Sequence, residues 1–411
     1  MGAATLFSSQ IAWGALPIQQ WTQPSGARVW LVESHGIPMV DVNLDFDAGT
    51  RRDPADKAGQ AGLGAGFGGS ASTDRMSFSL RSLTYPDLLP KAVQLAARQL
   101  GEPSFPQDVW VRDRQRMSAS IREANTRPGT AASKAFLSAV YNGHPYGYDT
   151  TEETLARITV QDMEAMYRRS VEACRARVSI VGDVTRAQAD ELVTALLARL
   201  PRRTAADCPA LPPVAEVQPL AAPVTQAIPF ESAQAHVLIG QPGYKRADPD
   251  YFPLLVGNYI LGGGGFVSRL TNEVREKRGL SYSVYSYFSP GLHAGAFTLG
   301  LQTRPDQAQQ AVQVSQEVLA RFVADGPTEA ELKAAQDNLV GGFGLRIDSN
   351  RKLLDNIAGV AWNDLPLDYL DTWTAQVSKV TTADIKAAFA RKLQPQRMVT
   401  VTVGAVAPRQ Q

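Results

Sequence analysis

Arg275 and Tyr282 stand seven residues apart in the segment REKRGLSY, and both side chains could bind a polar substrate. A guanidinium group supplies fixed, charged hydrogen-bond donors, and a phenol supplies a donor that does not titrate near neutral pH. Such donors can bind substrate carbonyls and stabilise a developing oxyanion. The spacing predicts Arg275 on the last turn of a helix and Tyr282 at the start of the next strand, with Gly279 ending the helix. The charge pattern alone favours a solvated arginine and a core tyrosine instead.

The chain has few residues that could bind a metal. No two of its four histidines lie within one helical turn of each other; they are His35, His144, His236 and His293. We interpret His35 as a hairpin-loop residue and His144 as a turn or packing residue. Cys174 and Cys208 lack the CxxC spacing of a thiolate zinc site, which leaves two isolated thiols or a single disulfide as alternatives.

Length and composition are those of a globular protein with more than one domain. The 411 residues are 44% hydrophobic and 20% charged, with a net charge of +1. This balance gives no electrostatic signature for nucleic acid or an anionic membrane. No apolar run approaches the roughly 20 residues that span a bilayer. The first residues lack a basic segment and a cleavage site, so we do not read an intact signal peptide.

The chain contains an internal repeat. Residues 158–182 align without gaps on 380–404 at an offset of 222, and 78–100 align on 297–319 at an offset of 219. In both copies a threonine precedes an amphipathic helix, and a β-branched strand ending in glycine follows. The pattern predicts an α+β fold of two homologous domains, each with a mostly antiparallel sheet and helices packed on it. Their predicted bounds are 18–208 and 225–408, joined by a proline-rich linker at 209–224.

One stretch of the first half is shorter than its counterpart in the second half. The offset is 195 at Asp53-Pro54 and 219 at Phe78, so about 24 residues are lacking between these points. The second half fills this space with helices and a turn of four glycines, Gly262–Gly265. This turn could suggest a phosphate cradle, but no Lys-Ser/Thr follows it, so a turn between two helices fits better.

The segment LGGGGFVSRLTNEVREKRGLSYSVYS resembles the C-terminal domain of the M16 metallopeptidases, the pitrilysin-like and mitochondrial-processing-peptidase-like inverzincins. The stretches ARVWLVESHGIPMVDVNLDFDAGTRRDP and HPYGY and the strand ends VGDV and VGAV extend the resemblance over almost the whole chain. It implies two domains of the LuxS/MPP-like fold. It also implies that Arg275 and Tyr282 bind substrate near the scissile bond.

The resemblance also shows what the first half lacks. Catalytic members carry a helical H-x-x-E-H motif, whose histidines bind Zn²⁺ and whose glutamate activates water. Here the first histidine would fall at Gly62, and the segment that should supply the third ligand places Ser120, with Glu123 three residues later. The resemblance therefore predicts no metal or cofactor site in this chain.

The implied function is that of a non-catalytic partner subunit in a heterodimeric M16 zinc peptidase. The partner would supply zinc, and this chain would supply Arg275 and Tyr282 to bind peptide and stabilise the transition state. One alternative is a self-contained zinc protease whose metal segment is missing from this chain between Pro54 and Phe78. Another is a structural scaffold like the core subunits of a respiratory complex. The resemblance favours a periplasmic over a cytoplasmic location.

Overall fold

The computed structural model describes residues 16–64, 69–201 and 203–405, with side chains of the first segment described to residue 62. Its first half forms a six-stranded sheet in the order β1-β2-β6-β3-β5-β4. Only the β2–β6 pair is parallel. The strands are β1 (Gln19–Thr22), β2 (Arg28–Glu33), β3 (Met39–Phe46), β4 (Gly69–Ala71), β5 (Met76–Leu83) and β6 (Arg177–Gly182).

The second half forms a five-stranded sheet whose order repeats that of the first sheet without β1. The strands are β7 (Val224–Ile228), β8 (Ala235–Pro242), β9 (Val284–Phe288), β10 (Ala296–Thr303) and β11 (Val399–Val403), in the order β7-β11-β8-β10-β9. Again one pair, β7–β11, is parallel. The strand segments that align in the sequence, β5 with β10 and β6 with β11, therefore occupy equivalent places. The predicted α+β class with largely antiparallel sheets is confirmed.

Helices cover both sheets. They are α1 (Gln60–Gly64), α2 (Leu89–Gly101), α3 (Gln107–Asn125), α4 (Pro128–Tyr141), α5 (Glu152–Arg157), α6 (Val160–Ser170), α7 (Arg186–Leu197), α8 (Tyr251–Asn258), α9 (Ala308–Asp325), α10 (Glu329–Gly341), α11 (Asn350–Trp362), α12 (Tyr369–Lys379) and α13 (Thr382–Lys392). In α6 and α13 the predicted threonine caps are present as capping boxes, Thr159 with Asp162 and Thr381 with Asp384. No helix of the described ranges has both the length and the hydropathy to cross a membrane.

Each sheet is partly covered by a helix from the other half. Helix α4 packs on β8 and β11 through Phe136 and Val140, which are buried against Val401 and its neighbours. Helix α11 packs on β3 and β6, where Leu354 and Ile357 are buried. The sequence predicted two separate halves and did not indicate that α4 and α11 each cover the sheet of the other half. A repeat shows which helices correspond, but not which sheet each helix covers.

A disulfide joins Cys174 to Cys208. Of the two alternatives left open by the sequence, the structure has the bonded pair. Cys174 follows α6 in the first half, and Cys208 lies at the start of the proline-rich linker. The bond therefore fixes the beginning of the linker to the first half.

Candidate functional site: an arginine stacked on two exposed aromatic rings

The backbone that carries Arg275 departs from regular α-helical geometry. Helix α8 runs directly into a π-helical turn at Tyr259–Gly263, and a second π-helical turn spans Thr271–Glu276. A short 3-10 turn at Gly265–Val267 lies between them. Single π-helical turns are rare and are frequent at functional sites. Arg275 lies on the second of these turns.

The glycine turn is required by close packing against strand β9. A Cβ atom on Gly262 would lie 2.4 Å from Ser286 Oγ, and one on Gly264 would lie 2.8 Å from the carbonyl oxygen of Tyr259. The Asn258 side chain donates a hydrogen bond of 3.0 Å to the carbonyl of Ser286. The predicted turn between helices is therefore present, and Gly262 allows its backbone to approach β9.

An ion pair of Arg269 holds the segment before Arg275 against helix α10. Its guanidinium makes a forked pair with Glu331, with Nε 2.6 Å from Oε1 and one terminal nitrogen 2.7 Å from Oε2. Burial tends to raise the pKa of Glu331, but the hydrogen bonds from Arg269 and Thr328 outweigh it and lower that pKa to about 2. The ion pair anchors the segment to the N-terminus of α10.

The helix ends as the sequence predicts. Gly279 has a positive φ of 62°, and its N–H donates to the carbonyl of Arg275 at 2.8 Å. Tyr282 follows in irregular backbone, two residues before β9 begins at Val284. Arg275 and Tyr282 are thus close in space as well as in sequence.

Arg275 stacks on two exposed aromatic side chains. Its guanidinium carbon lies 4.8 Å from the ring centroid of Tyr282 and 4.8 Å from that of Phe266. Tyr282 is 82% exposed and Phe266 75% exposed, whereas 27% of the Arg275 side chain is accessible. A guanidinium stacked on ring faces keeps its edge N–H groups free for a ligand. The sequence analysis missed Phe266, although a Phe-Val pair directly after four glycines is an unusual place for apolar side chains.

The neighbouring charges are surface pairs. Lys277 and Arg278 both bind Glu273, at 2.7 Å each. Glu276 approaches Arg275 Nε to 3.4 Å and is itself more than half exposed. An exposed contact of this length contributes little, so the Arg275 charge remains available to a ligand.

Two more tyrosines extend the aromatic surface along β9. Tyr285 and Tyr287 stack on each other with their ring centroids 5.9 Å apart, and both are exposed. The ring of Tyr285 lies over Gly300 of β10, where a Cβ would come within 2.5 Å of it. Glycine at this position allows the tyrosine to lie flat on the sheet.

In the described part of the first half, a short helix lies where the second half has the segment carrying Arg275. Helix α1 is five residues long, and Gly62, at the predicted histidine position, is exposed. The buried Asp53 carboxylate accepts the N–H groups of Gly59 at 3.0 Å and Ala61 at 2.9 Å. Burial raises the pKa of Asp53 to about 7, against the lowering effect of these hydrogen bonds.

The histidines lie apart from this short helix. His35 lies between β2 and β3, where hydrogen bonds and charge from Asp183 and Glu33 raise its pKa. Burial lowers the pKa of His144, whose Nε2 lies 2.8 Å from the carbonyl of Ala215. His236 lies on β8 and His293 just before β10.

Among the described residues, the side chains that could bind zinc are either far apart or already bonded. Glu123 and Ser120 are exposed on α3. In the part of the chain that the structure describes, a single group of three suitable side chains lies close enough to share a metal, namely Glu172, Cys174 and Cys208. The two sulfur atoms of that group are bonded to each other.

Comparison with known proteins identifies the family. A family model described as the peptidase M16 inactive domain matches residues 157–339, a range that includes Arg275 and Tyr282. Among curated proteins, an "uncharacterized zinc protease" of Streptomyces coelicolor is 28% identical over 78% of this chain and 70% of its own length. A "non-peptidase homolog" of Helicobacter pylori is 25% identical over 76% of this chain and 71% of its own length.

Solved structures of M16 proteins are also similar to this chain. The crystal structure of a peptidase M16 inactive domain from Pseudomonas fluorescens is similar with a TM-score of 0.89 and 32% identity, over 96% of this chain and 100% of that one. A protease from Helicobacter pylori has the same fold, with a TM-score of 0.85 and 18% identity, over 94% of this chain and 99% of that one. The chain therefore belongs to the M16 peptidase family and is of the kind described as its inactive domain.

Proposed function

We propose that this chain is the non-catalytic subunit of a heterodimeric M16 zinc peptidase. In this proposal Arg275 and Tyr282 bind the peptide substrate, and a partner subunit carries the zinc. The observation that carries the proposal is the exposed Arg275–Tyr282 stack in a chain whose first half has glycine in place of the first zinc-binding histidine.

The two side chains suit recognition of a peptide backbone. The Arg275 guanidinium can donate two parallel hydrogen bonds, and the exposed Tyr282 hydroxyl adds a third donor beside it. Donors held rigidly near a scissile carbonyl stabilise the negative charge that develops on its oxygen. The rings of Phe266, Tyr285 and Tyr287 would provide apolar surface for the substrate side chains.

The test is to reconstitute the complex. The tagged chain is isolated from its native cells, and the proteins that co-purify with it are searched for an H-x-x-E-H motif. The chain, the candidate partner and their complex are then compared for zinc content and peptide hydrolysis. We expect zinc in the partner and hydrolysis only by the complex. Stoichiometric zinc and activity in this chain alone would contradict the proposal, and co-purification with a membrane complex but no peptidase subunit would favour a scaffold role.

We also propose that the protein resides in an oxidising compartment such as the periplasm. The Cys174–Cys208 disulfide supports this location, because such bonds persist mainly outside the reducing cytosol. Fractionation of native cells, followed by labelling of free thiols in the isolated protein, tests it. Recovery of the protein in the cytosolic fraction with both thiols labelled would contradict it.

A further inference from the structure

A positively charged cavity lies between the two halves, away from Arg275. It has a volume of about 480 Å³. Its walls are the β2 and β6 strands of the first sheet, the segment next to Cys174, the linker at Leu211, and the residues that end α11 at 362–364. Both halves and the linker therefore contribute to this cavity.

Arginines outnumber carboxylates in its lining by four to two. Asp364 is shared by Arg28 at 2.6 Å and Arg177 at 3.0 Å. Asp47 is likewise shared, by Arg52 of the lining and by Arg51 behind it. Arg51 has a second carboxylate partner, Asp74, at 3.0 Å. The two lining carboxylates can therefore compensate two of the four lining arginines, and positive charge remains in a partly enclosed space.

Arg175 is the fourth arginine, and it has no carboxylate partner among the described residues. Its guanidinium donates to the backbone carbonyls of Arg169 and Pro209, while the nearby Glu172 pairs with Arg203. Burial lowers the pKa of Arg175. Glu172 and Asp47 act on Arg175 only from beyond ion-pair distance. The charge of Arg175 is therefore only partly compensated and can attract an anion.

Trp362 supplies a donor without an acceptor. Its side chain is 8% exposed, and within the described ranges its Nε1–H has no hydrogen-bond partner. The Arg177 guanidinium carbon lies 5.4 Å from the centre of the indole ring. Trp362 also lines the cavity, so its indole ring and the Arg177 guanidinium form one part of the wall.

We propose that this cavity binds a multivalent oxyanion of the phosphate class. Guanidinium forks match the oxygen geometry of phosphate, and four arginines line this cavity. The volume accommodates a phosphate group with its water molecules or the phosphate of a larger ester. Because the lining comes from both halves and the linker, bound anion stabilises their association and raises the melting temperature of the chain.

Titration of the purified full-length chain tests the site. Inorganic phosphate, pyrophosphate and a simple phosphate monoester are added at constant ionic strength, with chloride as the reference, and binding is followed by calorimetry and thermal melting. Saturable binding of phosphate or pyrophosphate is expected. Binding of the monoester as well would identify a phosphate group as the ligand, whereas its exclusion would identify the free anion. Binding of none of the three would overturn the proposal.

Two variants should change affinity in opposite directions. Arg175→Gln removes the unpaired charge and should weaken phosphate binding about tenfold, as expected for the loss of one charge-assisted hydrogen bond. Asp364→Asn frees Arg28 and Arg177 and should strengthen binding, a gain that misfolding cannot imitate. Arg304→Gln, which alters an exposed arginine paired with Asp306 in the second half, is the control. Phosphate also stabilises proteins generally by exclusion from their surface. Equal, non-saturating shifts in all variants would therefore show a general salt effect and refute the site.

Discussion

The Arg275 guanidinium carbon lies 4.8 Å from the Tyr282 ring centroid, although Arg275 is on a π-helical turn and Tyr282 is in the irregular backbone after it. The ring centroid of Phe266 lies at the same distance from the guanidinium carbon. The arrangement holds a charged group at the surface without a strong carboxylate partner. Phe266 is therefore a positioning residue for Arg275.

Replacing Phe266 with leucine should free the Arg275 side chain. An exposed cation–π contact contributes about 0.5–1 kcal/mol, so hydrolysis by the proposed complex should fall roughly two- to fivefold in kcat. Relaxation of the Arg275 Nε nucleus, measured by NMR on this chain alone, reports the mobility independently of any partner. Phe266→Tyr should retain both properties, and the neighbouring exposed Val267→Ala is the control. An Arg275 side chain of unchanged mobility in Phe266→Leu would refute the positioning role.

The Arg269–Glu331 pair should stabilise the chain in a pH-dependent way. The pKa of Glu331 is about 2 in the folded chain and about 4.3 when unfolded, so its contribution is present above pH 4.3 and is lost as the pH falls towards 2. Glu331→Gln should lower the free energy of unfolding by about 2 kcal/mol at pH 6 and by progressively less at pH 4 and pH 3. Denaturant titration measures this difference. A deficit that grows as the pH falls would contradict the assignment.

Asp53 should show the opposite pH dependence. Its pKa is about 7 in the folded chain and about 3.9 when unfolded, so stability is fully present below pH 4 and is lost as the pH rises towards 7. Relative to Asp53→Asn, the wild-type free energy of unfolding should fall by about 2–4 kcal/mol over that interval. Denaturant midpoints at pH 4, 5.5 and 7 measure the trend. A wild-type advantage that increases with pH would show that the N–H groups of Gly59 and Ala61 outweigh burial.

Because α4 and α11 each cover the sheet of the other half, we predict that neither half folds without the other. Helix α4 covers part of the second sheet and α11 part of the first, so each half expressed alone leaves buried apolar strands exposed. Residues 16–208 and 209–405 should aggregate or lack a cooperative melting transition when produced separately, and should assemble when produced together. Size-exclusion chromatography and circular dichroism report both outcomes. A monomeric, cooperatively folding half would contradict this account.

Local signals made much of the fold predictable from the sequence. The β-branched runs became β6 and β11, the threonines became caps, and Gly279 ended the helix after Arg275. These features depend on neighbours in the chain. The α4 and α11 exchange could not be predicted, because it depends on which distant apolar surfaces meet.

In the candidate site, too, the features set by neighbours in the chain were predictable and those set by distant contacts were not. Arg275 and Tyr282 were found from their spacing and from the family resemblance, but the stacking of Phe266 depends on a turn between two π-helical segments. The arginine-lined cavity involves β2, β6, the linker and α11. No local pattern links residues so far apart in the sequence.

The most direct test of the central claim is peptide hydrolysis by the complex of this chain with its zinc-bearing partner, with wild-type Arg275 or Arg275→Ala. Loss of one oxyanion-stabilising donor typically lowers kcat by about 10²–10³, and we predict a fall of that size with assembly and zinc content unchanged. Tyr282→Phe should lower kcat in the same direction. Hydrolysis by Arg275→Ala within twofold of wild type, in an intact complex, would contradict the claim that this chain completes the peptidase site.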